Sequence, residues 1–368
     1  MSATPDRPVL FRTEPSSSGR RIGVATLNRP RQLNALDLEM CELMLAQFTA
    51  WAGDAAIACV LLEGAGDKGF CAGGDVAGVV RHLRGLADSS PEHRFDYGDA
   101  FFRVEYQLDL LIHRYPKPFV ALSHGVCMGG GLGLVAGASQ RLFVQGSKIA
   151  MPEIHIGLFP DVGGGYFLNR MPAGVGALLA LTGHVISAED ALAVGLADAV
   201  VPATARVELL EALRGCEWTG ERGHDDAAVS QVINSLAIAA TASVAQPLMA
   251  HAHSLAQLAA NADVSGYRDA LNSLAARDHY FAVAAGNLSQ GSPTSAFVTW
   301  EYLRRTRHLD IDAVLEVDGV LARQFQRQHD FSEGVRALLI DKDRTPKWSP
   351  ADWALVTPEM VELHFQPL

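Results

Sequence analysis

The sequence has few cysteines and no long apolar run. Its 368 residues include five cysteines, an odd number, and no two of them are separated by two residues. This pattern indicates free thiols in a reducing compartment rather than a disulfide framework. No stretch approaches 18 uninterrupted apolar residues, and the first twenty residues lack the apolar centre of a secretory signal. We therefore expect no membrane-spanning segment and a cytoplasmic location.

Positive charge is also scarce. Lysine and arginine number 30 against 41 aspartates and glutamates, which gives a net charge of −11 at pH 7. A net acidic chain binds nucleic acid and anionic membranes poorly, so we expect neither as a partner. An anionic substrate would need a local cluster of donors. Apolar residues make up 49% and charged residues 19% of the chain, which is typical of a globular protein and not of a disordered one.

Two parts of the chain differ in their hydrophobic pattern. We predict that the polar segment 1–20 is a flexible arm. Over residues 21–203, short apolar runs alternate with helical patterns, which favours an α/β core. Residues 204–368 show helical periods only, so we predict a mostly helical C-terminal region. Strands are expected at 22–28, 58–63, 119–126 and 141–144, and helices at 36–51, 99–114 and 129–139.

Two glycine-rich segments are the first candidates for a binding site. They are 70–75 (FCAGGD) and 128–133 (MGGGLG), and the second lies between a predicted strand and a predicted helix. Glycine lets backbone N–H groups approach a ligand closely, and the first N–H groups of a helix carry partial positive charge. Two such donors aimed at one point would form an oxyanion hole. Tight turns required only for packing explain either segment alone equally well.

The second segment also matches a dinucleotide-binding pattern. Gly131, Gly133 and Ala136 fit G-x-G-x-x-G/A after a strand, and Glu153 follows about twenty residues later. However, Pro152 interrupts the second strand that should end at this acid. The fingerprint also normally opens its domain, whereas here it follows about 130 residues. This alternative predicts binding of NAD.

Two carboxylates occur in an apolar stretch that is rich in proline and glycine. Glu153 and Asp161 are eight residues apart in segment 151–165 (MPEIHIGLFPDVGGG). Apolar surroundings raise the pKa of a carboxyl group and suit it to proton transfer. Asp161 has an equally good alternative role as the N-cap of a helix that begins near Val162.

In this order and spacing, the three segments resemble the crotonase (enoyl-CoA hydratase/isomerase) superfamily. Segments 28–30 (NRP) and 34–36 (NAL) fit the N-terminal motif of the same family. Segments 101–106 (FFRVEY) and 329–337 (HDFSEGVRA) are similar to its thioesterase branch, the 3-hydroxyisobutyryl-CoA hydrolases. The resemblance covers about residues 20–350.

The resemblance implies a fold and a set of site residues. The fold is a spiral core of ββα repeats, here followed by a mostly helical C-terminal half. In this family two backbone N–H groups hold the thioester oxygen of an acyl-CoA, and they correspond to Gly74 and Gly130. The hydrolase branch surrounds the acyl group with carboxylates that correspond to Glu105, Glu153 and Asp161. We expect Glu153 to be catalytic with Asp161, and Glu105 to contact the substrate.

One position departs from the hydratase pattern. Hydratases carry a glutamate in the motif GGGxEL, and this sequence has Gly133 there. One of the two carboxylates that add water across a double bond is therefore missing. The resemblance then implies hydrolysis of a short 3-hydroxyacyl-CoA, with 3-hydroxyisobutyryl-CoA of valine breakdown as the expected substrate. A hydratase or isomerase of the same fold is the alternative.

The expected reaction needs no metal and no cofactor. Coenzyme A is part of the substrate, and the two backbone N–H groups polarise the thioester. A non-catalytic acyl-CoA binder of the same fold is a further alternative. Members of the family commonly form trimers or pairs of trimers, so the resemblance implies a homo-oligomer unless the longer helical half replaces a neighbour's contacts.

Overall fold

The computed structural model describes residues 7–85, 90–238 and 247–368. The chain forms two compact units, and each is assembled from segments that are distant in sequence. The first unit comprises Met1–Gly74, Gln107–Ile149 and Ile186–Pro247. The second unit comprises Asp75–Tyr106, Ala150–Val185 and Leu248–Leu368.

The strands form two sheets. The larger sheet has the order β1-β2-β3-β5-β7-β9, in which β1 pairs antiparallel with β2 and the other neighbours are parallel. The smaller sheet has the order β4-β6-β8. In the described residues, strands β1 to β9 are Val9–Pro15, Arg21–Leu27, Ile57–Gly64, Gly69–Cys71, Phe119–Ser123, Val126–Met128, Gln140–Val144, Lys148–Ala150 and Ala199–Val201.

Helices make up the rest of the regular structure. In the described residues, helices α1 to α17 are Leu38–Gly53, Val76–Gly85, Asp96–His113, Gly130–Ala136, Gly164–Leu168, Val175–Thr182, Ala188–Ala193, Ala205–Arg214, Arg222–Leu236, Pro247–Ala250, Ala252–Ala259, Val264–Ala275, Tyr280–Gln290, Pro293–Thr306, Ile311–Arg327, His329–Val335 and Pro358–His364. Short 3-10 turns occur at Pro30–Gln32, Pro91–His93, Glu153–Ile156 and Trp353–Leu355, and a π-helical turn at Arg336–Ile340.

The core of the first unit follows from strands that are apolar on both faces. β3 has the sequence IACVLLEG and is buried at every residue except Glu63. A continuous apolar run of this kind is typical of a parallel strand that is covered on both sides. Helices α8 and α9 supply the cover on one side, where Leu209, Leu213 and Ile233 join the core of the sheet.

The second unit is built around a helix that is apolar on every face. α6 has the sequence VGALLALT, and all of its residues except Ala177 are buried. A helix without a polar face is stable only when other elements surround it. Helices α11, α13 and α14 pack against α6, so it is the central helix of this unit.

The N-terminal segment corrects one prediction. The sequence predicted a flexible arm over residues 1–20, but Val9–Pro15 forms strand β1 and pairs with β2 along its whole length. Its side chains are mostly exposed or half-buried, because β1 lies at the edge of the sheet. Its apolar run covers only its first three residues, and the polar residues that follow resemble those of a loop. Residues 1–6 lie outside the described residues.

The predicted fold class is confirmed. The first unit contains the α/β core, and the described residues of 204–368 form helices and no strand. Each predicted domain, 21–203 or 204–368, is one continuous stretch of chain, whereas each compact unit combines three separate segments. The two domains therefore stay predictions.

Two further structural features concern the cysteines and the apolarity of the helices. The five cysteines, all within the described residues, form no disulfide bond with one another. Within the described ranges, no helix combines the length and the apolarity needed to cross a membrane.

The packing of α4 against β4 can be tested at Gly131. A Cβ at Gly131 would lie 2.5 Å from the carbonyl oxygen of Cys71, which is too close for any side chain. We expect Gly131→Ala to lower the free energy of unfolding by about 1–3 kcal/mol in urea titrations, the usual cost of overpacking. Gly53→Ala is the matched control, because a Cβ there meets nothing within 4 Å. Equal stability of the two variants would contradict the close packing of α4.

Candidate active site

The two glycine segments lie side by side in the first unit. β4 and β6, which precede them, pair in parallel. Beyond the ends of these strands, a Cβ at Gly73 would lie 3.5 Å from the amide nitrogen of Gly130. The two predicted donors, Gly74 and Gly130, are therefore on neighbouring turns. We refer to their N–H groups as the amide pair.

Both members of the amide pair are available to a ligand. In the described part of the chain, neither N–H group donates to a backbone carbonyl. Gly130 is the first residue of α4, where N–H groups have no partner within the helix. Gly73 and Gly129 have φ of +103° and +51°, a region that favours glycine. The N–H of Leu36 donates to the carbonyl of Gly73 at 2.9 Å and fixes that turn.

The helix that carries Gly130 has no carboxylate. α4 has the sequence GGLGLVA, and Gly133 is buried within it. The first unit therefore does not supply an acid at the position where the hydratase pattern has a glutamate. Its amide pair can polarise a carbonyl group but cannot transfer a proton.

A cavity in the first unit contains two cationic side chains. Its volume is about 570 Å³, and Arg31 and Lys68 line it together with Pro30, Leu33, Ala65, Asp67 and Gly69. Asp67 is paired with Arg206 at 3.1 Å. In a chain with a net charge of −11, such a local group of cations is suited to bind phosphate.

Glu153 is a buried acid of the second unit. It begins the 3-10 turn that follows Pro152, and only 5% of its surface is exposed. Its Oε2 atom has no hydrogen-bond partner among the described residues. A buried polar atom without a partner costs free energy, and this cost indicates a functional rather than a structural role.

Asp161 is buried near Glu153 and is bound by a tyrosine. It is 4% exposed, and its Oδ2 accepts a hydrogen bond of 2.7 Å from the hydroxyl of Tyr106. The alternative role as a helix cap is wrong, because α5 begins at Gly164 and its N-cap, Gly163, has no side-chain cap. The carboxyl group of Asp161 therefore does not cap the N-terminus of α5.

Glu105 completes the group of carboxylates around Tyr106. It precedes Tyr106 on α3 and is 2% exposed. Burial raises the pKa of Tyr106 well above its ordinary value, and the charges of Asp161, Asp318 and Glu105 raise it further. All three charges therefore act on the Tyr106 hydroxyl, and Asp161 is in direct contact with it.

Burial raises the pKa of both candidate catalytic acids. The pKa of Glu153 lies well above its ordinary value of 4.5, because the group is desolvated and the charge of Asp161 is nearby. Burial also raises the pKa of Asp161 from 3.8 to about 6, although the hydrogen bond from Tyr106 lowers it. No cation of the described residues contributes to either pKa. A carboxyl group in such a site is suited to act as an acid or a base near neutral pH.

Three residues of this network were missed from the sequence. They are Tyr106, Tyr302 of α14 and Asp318 of α15. Asp318 is fully buried, and it accepts hydrogen bonds from the Tyr302 hydroxyl at 2.5 Å and from the N–H of Gly163 at 2.8 Å. Burial raises the pKa of Asp318 well above its ordinary value, and the charge of Asp161 raises it further. The helical period of α15 places Asp318 between apolar positions, and this signal could have identified it.

The predicted site residues thus fall into two groups. Gly74 and Gly130 lie on neighbouring turns of the first unit, and Glu105, Glu153 and Asp161 all belong to the second unit. Within the second unit, the charge of Asp161 acts on Glu153, and the charges of Asp161 and Glu105 act on Tyr106. The catalytic and substrate-binding roles of these five residues stay predictions.

The dinucleotide interpretation does not fit this geometry. Gly131 and Gly133 lie inside α4 rather than in the turn before it. Glu153, the acid that would bind a ribose, is on a buried 3-10 turn and not at the end of a strand.

The chain belongs to the enoyl-CoA hydratase/isomerase family. A model of that family matches residues 22–365. Within the family, the chain is similar to mitochondrial 3-hydroxyisobutyryl-CoA hydrolases. It is 35% identical to that of Gallus gallus and 34% identical to that of Homo sapiens, each over 94% of this chain and 86% of the relative. The family resemblance and the crotonase fold predicted from the motifs are confirmed.

Two solved structures have nearly the same fold as this chain. One is a carnitinyl-CoA dehydratase from Mycobacterium thermoresistibile, with a TM-score of 0.85, 34% identity and coverage of 99% of this chain and 97% of that one. The other is an enoyl-CoA hydratase from Rhodobacter sphaeroides 2.4.1, with a TM-score of 0.84, 35% identity and coverage of 98% of each chain.

The burial of Asp161 should reduce stability at neutral pH. An acid whose pKa is raised in the folded state favours the protonated form, so its contribution to stability is lost as pH rises from about 4 to above 6. We expect Asp161→Asn to raise the free energy of unfolding at pH 8 by about 1–3 kcal/mol. The gain should shrink as the pH falls towards and below 3.8, the ordinary pKa of an aspartate, because the wild-type carboxyl group is then protonated in both states.

Urea unfolding at several pH values measures this effect. Asp269→Asn is a matched control, because 68% of the Asp269 side chain is exposed. The control should show no stability gain that grows with pH. An Asp161→Asn variant with the same pH dependence as the wild type would contradict the raised pKa.

Proposed function

We propose that this protein hydrolyses the thioester bond of a short 3-hydroxyacyl-CoA, with 3-hydroxyisobutyryl-CoA as the preferred substrate. The buried Glu153 carboxyl group, with its unpartnered oxygen and its raised pKa, is the observation that carries the proposal. The family membership and the names of the curated relatives support it. The products are 3-hydroxyisobutyrate and free coenzyme A, which corresponds to a step of valine degradation.

The amide pair stabilises the charge that develops on the thioester oxygen. When a nucleophile adds to the carbonyl carbon, the C=O electron pair moves to oxygen. The N–H groups of Gly74 and Gly130 then donate hydrogen bonds to this oxyanion. Removal of one donor of this kind typically costs about 3 kcal/mol of transition-state stabilisation. These donors require no metal or additional cofactor, so we propose that none takes part.

Glu153 completes the hydrolysis by one of two routes. As a general base, its carboxylate takes a proton from water while the water oxygen bonds to the carbonyl carbon. The tetrahedral intermediate then collapses, the C–S bond breaks, and the CoA thiolate takes the proton back from Glu153. As a nucleophile, the carboxylate bonds to the carbonyl carbon and expels the CoA thiolate, and water cleaves the resulting anhydride. Both routes need the ionised form of Glu153.

Asp161 and Glu105 have supporting roles in this proposal. Both lie close to the Tyr106 hydroxyl, so the cluster is rich in groups that can hydrogen-bond the 3-hydroxyl of the acyl chain. The charge of Asp161 also raises the pKa of Glu153 and makes its carboxylate a stronger base. The cations Arg31 and Lys68 of the cavity in the first unit bind the phosphates of coenzyme A.

A hydratase or isomerase is the second candidate function. The names of the two similar solved structures, a dehydratase and an enoyl-CoA hydratase, favour it. Gly133 opposes it, because α4 lacks the second carboxylate of the hydratase pattern. A non-catalytic acyl-CoA binder is the third candidate, and it predicts binding without turnover of any acyl chain.

The location and the assembly of the protein stay proposals. The sequence favours the cytoplasm, whereas the curated relatives are named as mitochondrial proteins. A homo-oligomer follows from the family resemblance alone. Cell fractionation and light scattering of the purified protein would test these two points.

Thiol release from 3-hydroxyisobutyryl-CoA tests the proposed function. We expect turnover by the wild-type protein, measured with Ellman's reagent, and no loss of enoyl absorbance from crotonyl-CoA. Glu153→Gln should lower kcat by at least about 100-fold and leave the affinity for CoA nearly unchanged, because only the acid is lost. Lys68→Ala should instead raise KM and leave kcat nearly unchanged, because it removes an interaction with the phosphates.

The control is Glu208→Gln, which makes the same substitution as Glu153→Gln. Glu208 lies on helix α8, and its side chain is exposed. It should behave as the wild type. Full thioesterase activity in Glu153→Gln would remove Glu153 from the mechanism. Loss of enoyl absorbance without thiol release would establish the hydratase instead.

A further inference from the structure

The turn that carries Asp161 has an unfavourable backbone conformation. Val162 has a φ of +53° and Gly163 a φ of +78°. Glycine tolerates this left-handed region, but for a β-branched residue such as valine it is a clear outlier. Without interactions that hold the turn, Val162 would relax to a negative φ and reorient the adjoining Asp161. Outliers of this kind persist where the surrounding structure fixes them, often at functional sites.

Two buried side chains hold this turn from its C-terminal side. Asp318 accepts the N–H of Gly163 at 2.8 Å, and the Tyr302 hydroxyl accepts the N–H of Gly165 at 2.8 Å. Tyr302 also donates to Asp318 at 2.5 Å. Both side chains are fully buried. The three hydrogen bonds therefore link two helices, α14 and α15, to the residues that follow Asp161.

The same helices hold the residues that precede Asp161. The ring of Phe159 packs edge-on against Tyr302 with 5.1 Å between centroids, and it stacks on Phe325 of α15 at 5.5 Å. Asp161 is thus fixed through both of its neighbouring segments. Its carboxyl group then accepts the hydrogen bond from Tyr106.

We propose that Tyr302 and Asp318 are positioning residues for the hydrolysis, which keep the Asp161 carboxyl group against the Tyr106 hydroxyl by holding the turn from Asp161 to Gly165. They do not touch the substrate and act only through Asp161. The turnover measurements below rest on the proposed function, and a separate structural measurement does not.

Removal of the Tyr302 hydroxyl tests the proposal. Tyr302→Phe keeps the aromatic packing but removes both hydrogen bonds of the hydroxyl. We expect kcat for thioester hydrolysis to fall by about 10- to 100-fold, because a misplaced catalytic group costs that much, while KM changes by less than about threefold. Tyr267→Phe is the matched control, since the hydroxyl of Tyr267 is buried and has no partner among the described residues. It should leave both parameters unchanged.

A double-mutant cycle separates positioning from a purely structural effect. If Tyr302 acts through Asp161, then Tyr302→Phe should have no further effect on kcat in an Asp161→Asn background. Multiplicative effects of the two substitutions would overturn the proposal. If Tyr302→Phe does not fold, Asp318→Asn provides the same cycle, because the amide cannot accept from both Gly163 and Tyr302.

A crystal structure of the variant gives a readout that needs no turnover. In Tyr302→Phe we expect the Tyr106 hydroxyl and Asp161 Oδ2 to lie too far apart for a hydrogen bond. A retained distance of 2.7 Å would overturn the positioning role even if the wild type hydrolyses no acyl-CoA. If the variant shows the two atoms separated and the wild type has no turnover, only the proposed function is contradicted.

Discussion

Burial of carboxyl groups without a cationic partner is the constraint on which the candidate site depends. Glu153, Asp161 and Asp318 are nearly or fully inaccessible to solvent, and no lysine, arginine or histidine of the described residues is among the causes of their pKa shifts. Desolvation disfavours the charged form of each acid, and their mutual repulsion adds to this effect. The fold tolerates this cost because tyrosine hydroxyls and backbone N–H groups donate hydrogen bonds to Asp161 and Asp318. Glu153 retains a carboxyl oxygen without a partner.

The amide pair of the first unit offers electrostatic stabilisation, whereas the buried acids offer proton transfer. The amide pair consists of fixed dipoles that need no proton and no charge, and their position depends on glycines whose backbone no other residue would adopt readily. Electrostatic stabilisation of an oxyanion and proton transfer by a buried acid are the two requirements of thioester hydrolysis. Because α4 has no acid at Gly133, the proposed function assigns proton transfer to the carboxylates of the second unit.

Motifs in the sequence were sufficient to predict the amide pair and the acids, but not what holds the acids in place. Gly74, Gly130, Glu153 and Asp161 lie in segments whose composition is unusual in itself, and a family resemblance gave them roles. Tyr302 and Asp318 lie in ordinary helical patterns more than 130 residues further along the chain. Contacts between residues so far apart in the sequence depend on tertiary packing. The hydrophobic periodicity of a sequence does not report such contacts. An acid such as Asp318 on the buried face of an amphipathic helix is costly, so its position in the sequence already indicates a functional or structural role.

Local backbone geometry also could not be predicted from the sequence. Nothing in a valine predicts the positive φ of Val162, because the tertiary packing of the turn imposes it. Strand β1 was missed for a related reason, since the side chains of this edge strand are mostly exposed or half-buried and its apolar run covers only its first three residues. The elements that were predicted well, such as β3 and β5, are those whose apolar residues are buried on both faces.

The protonation state of Glu153 in the ligand-free protein tests the account most directly. Infrared difference spectra of the wild type and Glu153→Gln, recorded across a pH titration, isolate the C=O stretch of this one carboxyl group. A raised pKa predicts that the band of the protonated acid persists above pH 4.5, where an exposed glutamic acid is mostly ionised. A band that disappears at the ordinary glutamate pKa of 4.5 would contradict the account.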